Sequence, residues 1–557
     1  MPETIKIIPL GGLDEVGKSM ICVQINEEIY VVEAGALVPD KTMPGIDYVI
    51  PRTDYLEEHK KNVKAYIVLH GHDDEIGALP FIYDSVPAPV YGTQISLRML
   101  KIFTQHVKKD PSVYDLRPQP ATSAFNIGRR RFHFFHTAHN IADSVGLALE
   151  TEYGNIVFTG DFVIENSADP AYLCDMNAIA KLSEMPTLVL LSESTFAERP
   201  GYTAPLYKLT PHIEDAFNNA QGRIFVSLFS TNFYNMEEIA RLAVRYKKKI
   251  VCYDASTKAT IDEIASCGQN IIPPDNYVSS DDVLRYRDAD LVVLMLGYGS
   301  RLFRKIALLA SGQNEDRRIR LKDTDTFVMA APSNDNTEVE YSDAADELYR
   351  SPAKALIVPK KQFLRMHASE EDLKMMASIL KPKYYIPVKG LYKELLANAQ
   401  LALSMGINLT HSTVFVLENG LVVQLDDKMG KLTGEKVVHG DIMIDGAGVG
   451  DVSPAVLEDR QRLAEGLVIV AATLSRSKGV LVAGPDVQMR GFVFGKDADL
   501  INREVTKTFE ITLAELIRGH TYNIEEIRQN VYEKTARTIR RLSGKEPMVL
   551  PLLVEIA

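Results

Sequence analysis

Two histidines and an aspartate recur at every second position in the segment AYIVLHGHDDEIGALP. His70 and His72 close an apolar, strand-like run, and alternate residues of a strand project to the same face. Asp74 follows on the turn. One histidine at the end of a strand is more often structural, but the combination H-x-H-x-D after a buried strand is typical of a metal site. The segment therefore predicts a metal-ion site.

Two later segments predict further ligands. His139 follows the strand-like run in RFHFFHTAH, and Asp161 follows the run in NIVFTGD. Each lies where the loops of a sheet can converge. Imidazoles and carboxylates suit zinc or manganese, and a carboxylate can bridge two ions about 3.5–4 Å apart. Asp161 alone would be an ordinary turn residue, but with the three histidines it completes a predicted metal centre.

The elements that must position these ligands change in character along the chain. Over residues 1–203, short β-branched runs separated by Gly, Pro and Asp predict layered sheets with helices outside. Over residues 204–371, helix-like and strand-like segments alternate, which is typical of a parallel α/β domain. The first pattern resumes over residues 372–440. A linker is predicted at 441–454, and a last α/β unit at 455–557.

Composition limits the class of protein. A chain of 557 residues is too long for one core, so two to four domains are expected. No apolar run approaches the roughly 20 residues that span a membrane, and the start lacks a signal peptide, so we expect a cytoplasmic protein. The four cysteines are widely spaced and are expected to be buried and reduced. The net charge of −12 means that a nucleic-acid partner would have to be held by local basic patches.

The metal motifs H-x-H-x-D, the later histidine and T-G-D resemble the metallo-β-lactamase superfamily. Further segments resemble a bacterial ribonuclease J, of the β-CASP group, over essentially the whole chain: LGGLDEVGKSM, LLSESTFAERPGYT, MHASEEDLKMM, PKYYIPVKGLY and GPDVQMRGFVF. The resemblance implies an α/β protein with an αββα metallo-β-lactamase core formed by residues 1–203 and 372–440. It also implies a parallel α/β β-CASP domain inserted at 204–371, and a C-terminal α/β dimerisation domain at 455–557.

The sequence departs from the family pattern at the second metal ion. The family motif H-x-H-x-D-H ends here in Glu75, and P-[IV]-H-G-E-Y reads PVKGLY, with Lys389 in place of histidine and Leu391 in place of glutamate. The resemblance implies one complete site for zinc or manganese, with the ligands His70, His72, His139 and Asp161. The second site keeps only Asp74 and Asp161, with Glu75 as a further candidate ligand.

Lys389 is expected to replace the second metal ion. Its ammonium group would neutralise the carboxylates of Asp74, Glu75 and Asp161, which otherwise repel one another. In the alternative interpretation, Glu75 is a ligand for a second manganese or magnesium ion and Lys389 points to solvent.

The segments that hold RNA phosphates in the family are also changed. S-N-[IV]-H-R reads TNFYN, which keeps Asn232, and H-T-S-G-H reads FLRMH, which keeps His367 next to Arg365 and Met366. The resemblance implies that these four residues bind substrate. In catalysis, Asp74 would orient the attacking water, and His367 would hydrogen-bond the phosphate or assist the leaving oxygen.

Two functional hypotheses follow. The first is a weak, metal-dependent 5′-to-3′ exoribonuclease, with endonuclease activity also open, that acts on single-stranded RNA in mRNA decay and rRNA maturation beside an active paralogue. The second is a catalytically silent RNA-binding or structural subunit of the same complex. The retained first-metal ligands favour the first, and the changes at Glu75 and Lys389 favour the second. The bulk of the inserted and terminal domains disfavours a small-molecule hydrolase.

The C-terminal domain is expected to carry oligomerisation, as a homodimer or hetero-oligomer. The resemblance implies this role. The apolar strands LVIVAATL and MVLPLLVEI also offer more apolar surface than so small a domain readily covers.

Overall fold

A computed structural model of the chain describes residues 2–39, 42–165, 170–266, 268–280, 282–316, 319–333, 337–426, 429–446, 448–450, 452–477, 479–491, 495–518 and 523–556. The chain forms two compact units. One comprises Met1–Val38 with Tyr48–Ile442, and the other comprises Pro39–Asp47 with Met443–Ala557. In the described residues, no helix is both long and apolar enough to cross a membrane.

Two mixed sheets form the core of the first unit. In spatial order, the first sheet contains Gly430–Lys436, Leu421–Leu425, Ile5–Gly11, Met20–Ile25, Glu28–Val32, Val63–Ile67, Val90–Gly92 and Leu116–Pro118. The second contains Tyr384–Val388, Thr187–Glu193, Gly154–Phe158, Val145–Thr151, Arg130–His136 and Ser123–Ile127. One apolar cluster joins them, with Val23, Tyr30 and Ile67 from the first sheet and Phe132 and Leu191 from the second.

Helices of the core flank these sheets: Asp54–Glu58, Asp73–Ile76, Leu79–Ile82, Gln94–His106, Met176–Leu182, Glu370–Leu380 and Tyr392–Ser404. The last of these packs beside the second sheet, where Asn398 Oδ1 accepts a hydrogen bond from Tyr385 Oη at 2.7 Å. Layers of helix, sheet, sheet and helix make this the expected αββα metallo-β-lactamase fold.

A separate parallel sheet lies between the two parts of the core in sequence. Its strands, in spatial order, are Tyr277–Val278, Lys249–Cys252, Leu291–Gly297, Ile224–Phe229, Thr326–Met329 and Lys354–Ile357. The central strands are continuous apolar runs, as strands buried on both faces require. The accompanying helices are Thr210–Asn219, Phe233–Arg245, Ala255–Ser266, Gly299–Ala310 and Glu338–Arg350.

The chain then returns to the core. Strand Tyr384–Val388 pairs in parallel with Thr187–Glu193 at the edge of the second core sheet, so that Val388 lies opposite Glu193. This pairing brings Lys389, which directly follows the strand, next to the ends of the other core strands.

The second unit packs two long helices, Gly495–Arg518 and Ile524–Ser543, on a three-stranded sheet of Val480–Arg490, Leu467–Ser475 and Met548–Ile556. Helix Pro454–Glu465 precedes the sheet. The remaining strands of the described chain are short: Tyr48–Pro51, Asp441–Asp445 and Gly448–Val449.

The boundaries of the second unit differ from those predicted for the C-terminal domain. Pro39–Asp47, which the sequence placed in the core, belongs to the second unit. The reason is local contact: Gln461 Nε2 donates to the Thr42 carbonyl at 2.6 Å, and Arg460 donates to the Gly45 carbonyl at 3.1 Å. The unit resumes at Met443, inside the predicted linker.

The cysteines follow the expectation where they are described. Cys22, Cys174 and Cys252 are buried and free, and Cys267 lies outside the described residues. Burial raises the pKa of Cys252 to about 11, so that this thiol stays protonated at neutral pH.

Candidate metal centre

The predicted ligands stand just beyond the ends of core strands from both sheets. His70 follows Val63–Ile67, and Asp161 follows Gly154–Phe158. His139 follows Arg130–His136. The side chains of His70, His139 and Asp161 are at most 3% exposed. Because these strands end at the same edge of the core, residues far apart in sequence form one buried cluster.

Backbone packing under the cluster depends on one glycine. An ideal Cβ at Gly35 would lie 1.6 Å from the carbonyl oxygen of Asp74. Any side chain there would push Asp74 and the short helix Asp73–Ile76 away from the centre. Gly35 therefore lets the first sheet approach the H-x-H-x-D turn closely.

Four ligand atoms face one another at the centre. His72 Nδ1 lies 3.0 Å from His70 Nε2 and 3.3 Å from His139 Nε2. Asp161 Oδ2 lies 3.7 Å from His70 Nε2 and 3.8 Å from His139 Nε2. Tetrahedral ligands 2.0–2.1 Å from a zinc ion are about 3.3 Å apart. The three histidine nitrogens lie within 4.8 Å of one another, and Asp161 Oδ2 approaches two of them, so the cluster is suited to hold one ion.

The electrostatics of the cluster also suit a cation. Burial lowers the pKa values of His70 and His139 well below the ordinary histidine value, so both imidazoles are neutral at pH 7 and offer a lone pair. Burial acts to raise the pKa of Asp161, but Lys389 and the neighbouring histidines outweigh it and hold this pKa well below its usual range. The centre therefore combines neutral nitrogen ligands with one charged carboxylate.

A backbone contact fixes the orientation of His139. Its Nδ1 lies 2.7 Å from the carbonyl oxygen of Met366, and only a protonated Nδ1 can donate to a carbonyl. The lone pair must then be on Nε2, which faces His72. Metal-binding histidines commonly use their second nitrogen in this way, so the contact supports a ligand role for His139.

Lys389 lies where the family pattern has a histidine. Its Nζ contacts Asp161 Oδ1 at 2.6 Å and makes a very short contact with Glu75 Oε1. Glu33 Oε1 is 3.6 Å away. Burial acts to lower the pKa of Lys389, but Asp161, Glu33 and Glu75 outweigh it and hold the pKa well above its ordinary value. The side chain is therefore an ammonium ion, in contact with two carboxylates.

Glu33 and Glu75 form a second layer of buried acid. Burial raises the pKa of both carboxyl groups, that of Glu75 strongly, and the charge of the neighbouring Glu33 raises the pKa of Glu75 further. Such a pair holds a proton more readily than either group would in water. Asp74 is less buried, and its carboxylate lies within 4.8 Å of ligand atoms of Glu75 and Asp161.

His367 joins the cluster from the inserted part of the chain. Its Nδ1 lies 2.8 Å from Glu193 Oε2 and 3.7 Å from Asp161 Oδ2. Glu193 also accepts backbone hydrogen bonds from Phe162 at 2.7 Å and Ala368 at 3.1 Å. These contacts hold the His367 ring and leave Nε2 as the nitrogen that can meet a substrate.

The other three predicted substrate-binding residues, Asn232, Met366 and Arg365, lie in different environments. Asn232 caps helix Phe233–Arg245: its Oδ1 accepts from the Asn235 backbone at 3.1 Å, and its Nδ2 donates to Asn235 Oδ1 at 2.6 Å. Met366 is 2% exposed, and its carbonyl, as described above, orients His139. Arg365 is exposed. Of these three, only Arg365 offers its side-chain polar group to solvent.

Two residues of the site, Glu33 and Glu193, were missed by the sequence analysis. Glu33 directly follows the buried strand Glu28–Val32, and Glu193 is the last residue of the buried strand Thr187–Glu193. Asp161 carries the same signal, an acid at the end of an apolar run. That signal would have found both residues had it been applied to every strand of the core.

Comparisons with known proteins agree with this architecture. A model of the ribonuclease J beta-CASP domain matches residues 221–340, and a model of the ribonuclease J C-terminal domain matches residues 455–556. "Ribonuclease J 2" of Staphylococcus epidermidis strain RP62A is 31% identical to this chain, with 100% of this chain and 99% of the relative covered. "Ribonuclease J 2" of Staphylococcus aureus strain MRSA252 is 32% identical, with the same coverage.

A solved structure shares the fold. The crystal structure of a protein of unknown function from Enterococcus faecalis V583 aligns with a TM-score of 0.51 at 14% identity. The alignment covers 76% of this chain and 100% of the other.

Proposed function

Because the chain belongs to the ribonuclease J family and is a hydrolase of that type, we propose that it degrades single-stranded RNA with one bound divalent ion. One observation carries the proposal: ligand nitrogens of His70, His72 and His139 lie within 4.8 Å of one another, and Asp161 Oδ2 lies 3.7 and 3.8 Å from two of them. We further propose weak 5′-to-3′ exonuclease activity in the cytoplasm, in mRNA decay and rRNA maturation. The motif resemblance supports these details.

The residues divide the chemical work. A bound divalent ion would lower the pKa of the attacking water and stabilise charge on the phosphate oxygens. Asp74, the least buried acid of the cluster, would accept a hydrogen bond from that water and orient it. His367, held by Glu193 through Nδ1, would present Nε2 to a phosphate oxygen or to the leaving oxygen.

Lys389 limits this chemistry to one ion. In the proposal, its ammonium group supplies the positive charge between Glu75 and Asp161 that a second cation would otherwise supply. An ammonium ion neutralises carboxylates but holds no open coordination position for water or phosphate. The site keeps its shape and loses part of its catalytic power, which supports weak activity.

Metal content tests the one-ion proposal. The purified chain should contain one zinc or manganese ion per molecule by mass spectrometry, and the double variant Glu75→His/Lys389→His should approach two, with higher activity on 5′-monophosphorylated RNA. Crystals soaked in manganese decide the alternative. A fully occupied second ion bound by Asp74, Glu75 and Asp161 in the unaltered chain would refute the role proposed for Lys389.

A second candidate function is a catalytically silent subunit that binds RNA and stabilises an active paralogue. The contact of Lys389 with both Glu75 and Asp161 favours it, because that contact fills the place of a catalytic cation. Degradation of 5′-monophosphorylated RNA separates the two functions. A silent subunit degrades nothing alone and raises the activity of the paralogue even when Asp74 is replaced by Ala, whereas a weak enzyme loses its own activity in Asp74→Ala.

A further inference from the structure

Two arginines at the edge of the metal centre share one aromatic ring. The guanidinium carbon of Arg199 lies 4.6 Å from the centre of the Phe196 ring, and that of Arg365 lies 5.7 Å from it. Phe196 is half-buried and both arginines are exposed. A bridge between Phe196 and Ser369 ties the two chain segments together. Two arginines 166 positions apart in sequence thus share one aromatic support.

Neither guanidinium is neutralised by the protein. Over the described residues, neither Arg199 nor Arg365 has a carboxylate within ion-pairing distance. Nearby acids have other partners: Glu198 pairs with Lys393 at 2.9 Å, and Glu370 and Glu371 pair with Lys374.

Glu394 is the acid whose pKa Arg365 lowers, but burial raises that pKa further, and Glu394 Oε2 accepts a hydrogen bond from the Leu391 backbone at 2.8 Å. Two cations that lack a carboxylate partner and share one aromatic ring, in a chain of net charge −12, are suited to bind an anion from outside the chain.

Contact with the Phe196 ring leaves the N–H groups of both arginines available to donate hydrogen bonds. A guanidinium that lies against an aromatic face uses its own face in the contact, so its N–H edges stay free to donate. Those donors match the paired oxygens of a phosphate. Phe196 therefore orders two phosphate-binding groups without using up their hydrogen bonds.

The position of the two arginines relative to the metal centre indicates which phosphate of the RNA strand they would hold. The Phe196 ring lies 5.6 Å from the His367 ring, which lies 5.3 Å from the His139 ring. Phe196 thus lies next to His367, the residue proposed to meet the reacting phosphate, and the two arginines are supported from there. They are near enough to hold a neighbouring phosphate of the same strand.

We propose that Arg199 and Arg365, held on the Phe196 ring, clamp one backbone phosphate of single-stranded RNA beside the metal centre. This inference rests on the proposed function and adds a binding site to it, with Phe196 and Arg199 as new members. The clamp compensates for the changed segment TNFYN, and Arg365 itself belongs to the other changed segment, FLRMH. It serves the weak enzyme and the silent subunit equally, because both bind RNA.

The test measures binding apart from catalysis. Full-length protein in EDTA is titrated into 3′-fluorescein-labelled, 5′-monophosphorylated single-stranded RNA, and anisotropy is recorded at several salt concentrations. Arg199→Gln and Arg365→Gln should each weaken binding about tenfold. Each should also lower the slope of log affinity against log salt by about 0.7, the value for one lost phosphate contact on a single strand. Phe196→Leu should weaken binding and keep most of the slope, because both charges remain.

Arg287→Gln is the matched control. Arg287 is exposed and carries the same charge, but it is paired with Asp290 at 2.8 Å, so its removal should leave binding unchanged. A scan with one neutral methylphosphonate linkage at a time locates the phosphate. Neutralising the clamped linkage should weaken RNA binding by the unaltered protein about tenfold. It should not weaken binding by the double variant Arg199→Gln/Arg365→Gln any further.

The possible outcomes separate this inference from the function on which it rests. RNA binding by the unaltered chain with equal affinity and slope in Arg199→Gln and Arg365→Gln would refute the clamp and leave the ribonuclease proposal standing. A chain that binds no RNA at all would refute both. Unchanged far-ultraviolet circular dichroism confirms that the surface variants fold.

Discussion

Lys389 and Glu33 are held in a backbone conformation that their side chains rarely adopt. Their φ angles are +56° and +64°, in the left-handed region, at a cost of about 1–2 kcal/mol each. Both side chains reach the same buried group of charges, where Nζ of Lys389 lies 3.6 Å from Glu33. Strain concentrated at two residues of one site is typical of a functional centre. The backbone strain at Lys389 and Glu33 therefore accompanies the placement of one cation among several acids.

Replacing Lys389 by Met should lower the free energy of unfolding by about 3–5 kcal/mol in the absence of metal, because it leaves Asp161 and Glu75 buried without their counter-charge. Urea denaturation in EDTA measures the change. Lys6→Met is the control: Lys6 pairs with Glu435 at the surface, so its removal should cost less than about 1 kcal/mol. Equal stability of the two variants would contradict a charge-neutralising role for Lys389.

His139→Ala should reduce the metal content from one ion per chain to nearly none, because it removes one of three nitrogen ligands from a site already limited to four ligand atoms. Mass spectrometry of the purified variant measures this directly. His133→Ala is the matched control. His133 lies on the preceding strand and pairs with Glu150 instead, so its metal content should match that of the unaltered chain.

At the scale of elements, one buried carboxylate joins the segments that enter and leave the inserted domain. Asp372, in the first turn of helix Glu370–Leu380, accepts backbone hydrogen bonds from Ile164 at 2.9 Å and from Thr203 and Ser369 at 3.0 Å each. The bond from Ser369 caps the helix. The other two hold Ile164, which follows Asp161 closely in sequence, and Thr203, whose hydroxyl donates to the His367 carbonyl at 2.5 Å. Helix capping and the positioning of the site thus depend on the same side chain.

Asp372→Ala should lower the free energy of unfolding by about 3 kcal/mol or more, because three buried N–H groups lose their acceptor. Asp346→Ala, on the exposed side of helix Glu338–Arg350, removes only a surface contact with Arg350 and should change stability by less than about 0.5 kcal/mol. Guanidinium denaturation compares the two. A loss in Asp372→Ala no larger than in the control would show that other contacts hold these segments.

At the scale of the whole molecule, the sheet of the second unit has apolar residues on both faces. Val549 and Leu553 face the helices and are buried, while Leu550, Leu552 and Val554 alternate with them and are 38%, 47% and 58% exposed. Alternation of this kind would normally place polar residues on the solvent side of a strand. An exposed apolar sheet face supports the proposal that the C-terminal domain carries oligomerisation.

Leu552→Glu/Val554→Lys should convert the protein from an oligomer to a monomer, because it places opposite charges on this apolar face while keeping the strand and the net charge. Light scattering measures the mass. Arg528→Glu/Glu525→Arg, a charge exchange on the exposed side of helix Ile524–Ser543, should leave the oligomer intact. Truncation after Lys436, which removes Met443–Ala557 of the second unit, should also give monomers. Dimers that persist in Leu552→Glu/Val554→Lys or in the truncated chain would contradict the assembly proposal.

The sequence by itself determined the features that depend on short-range pattern. The spacing of His70 and His72 after an apolar run predicted the turn that carries the candidate ligands, and the alternation of helix-like and strand-like segments predicted the parallel inserted sheet. Strand period and the ends of apolar runs are local properties, so they can be read without knowing which strands are neighbours.

Tertiary structure decided which distant residues meet. Lys389 contacts Glu75 from 314 positions away, His367 contacts Glu193 from 174 positions away, and the carbonyl of Met366, not its side chain, orients His139. The Arg199 and Arg365 pair on Phe196 exists only because two crossing segments lie side by side. Such contacts follow from the order and register of strands in a sheet, and many orders satisfy the same local pattern. The candidate ligands could therefore be predicted from the sequence, while the arrangement of charge around them could be described only from the fold.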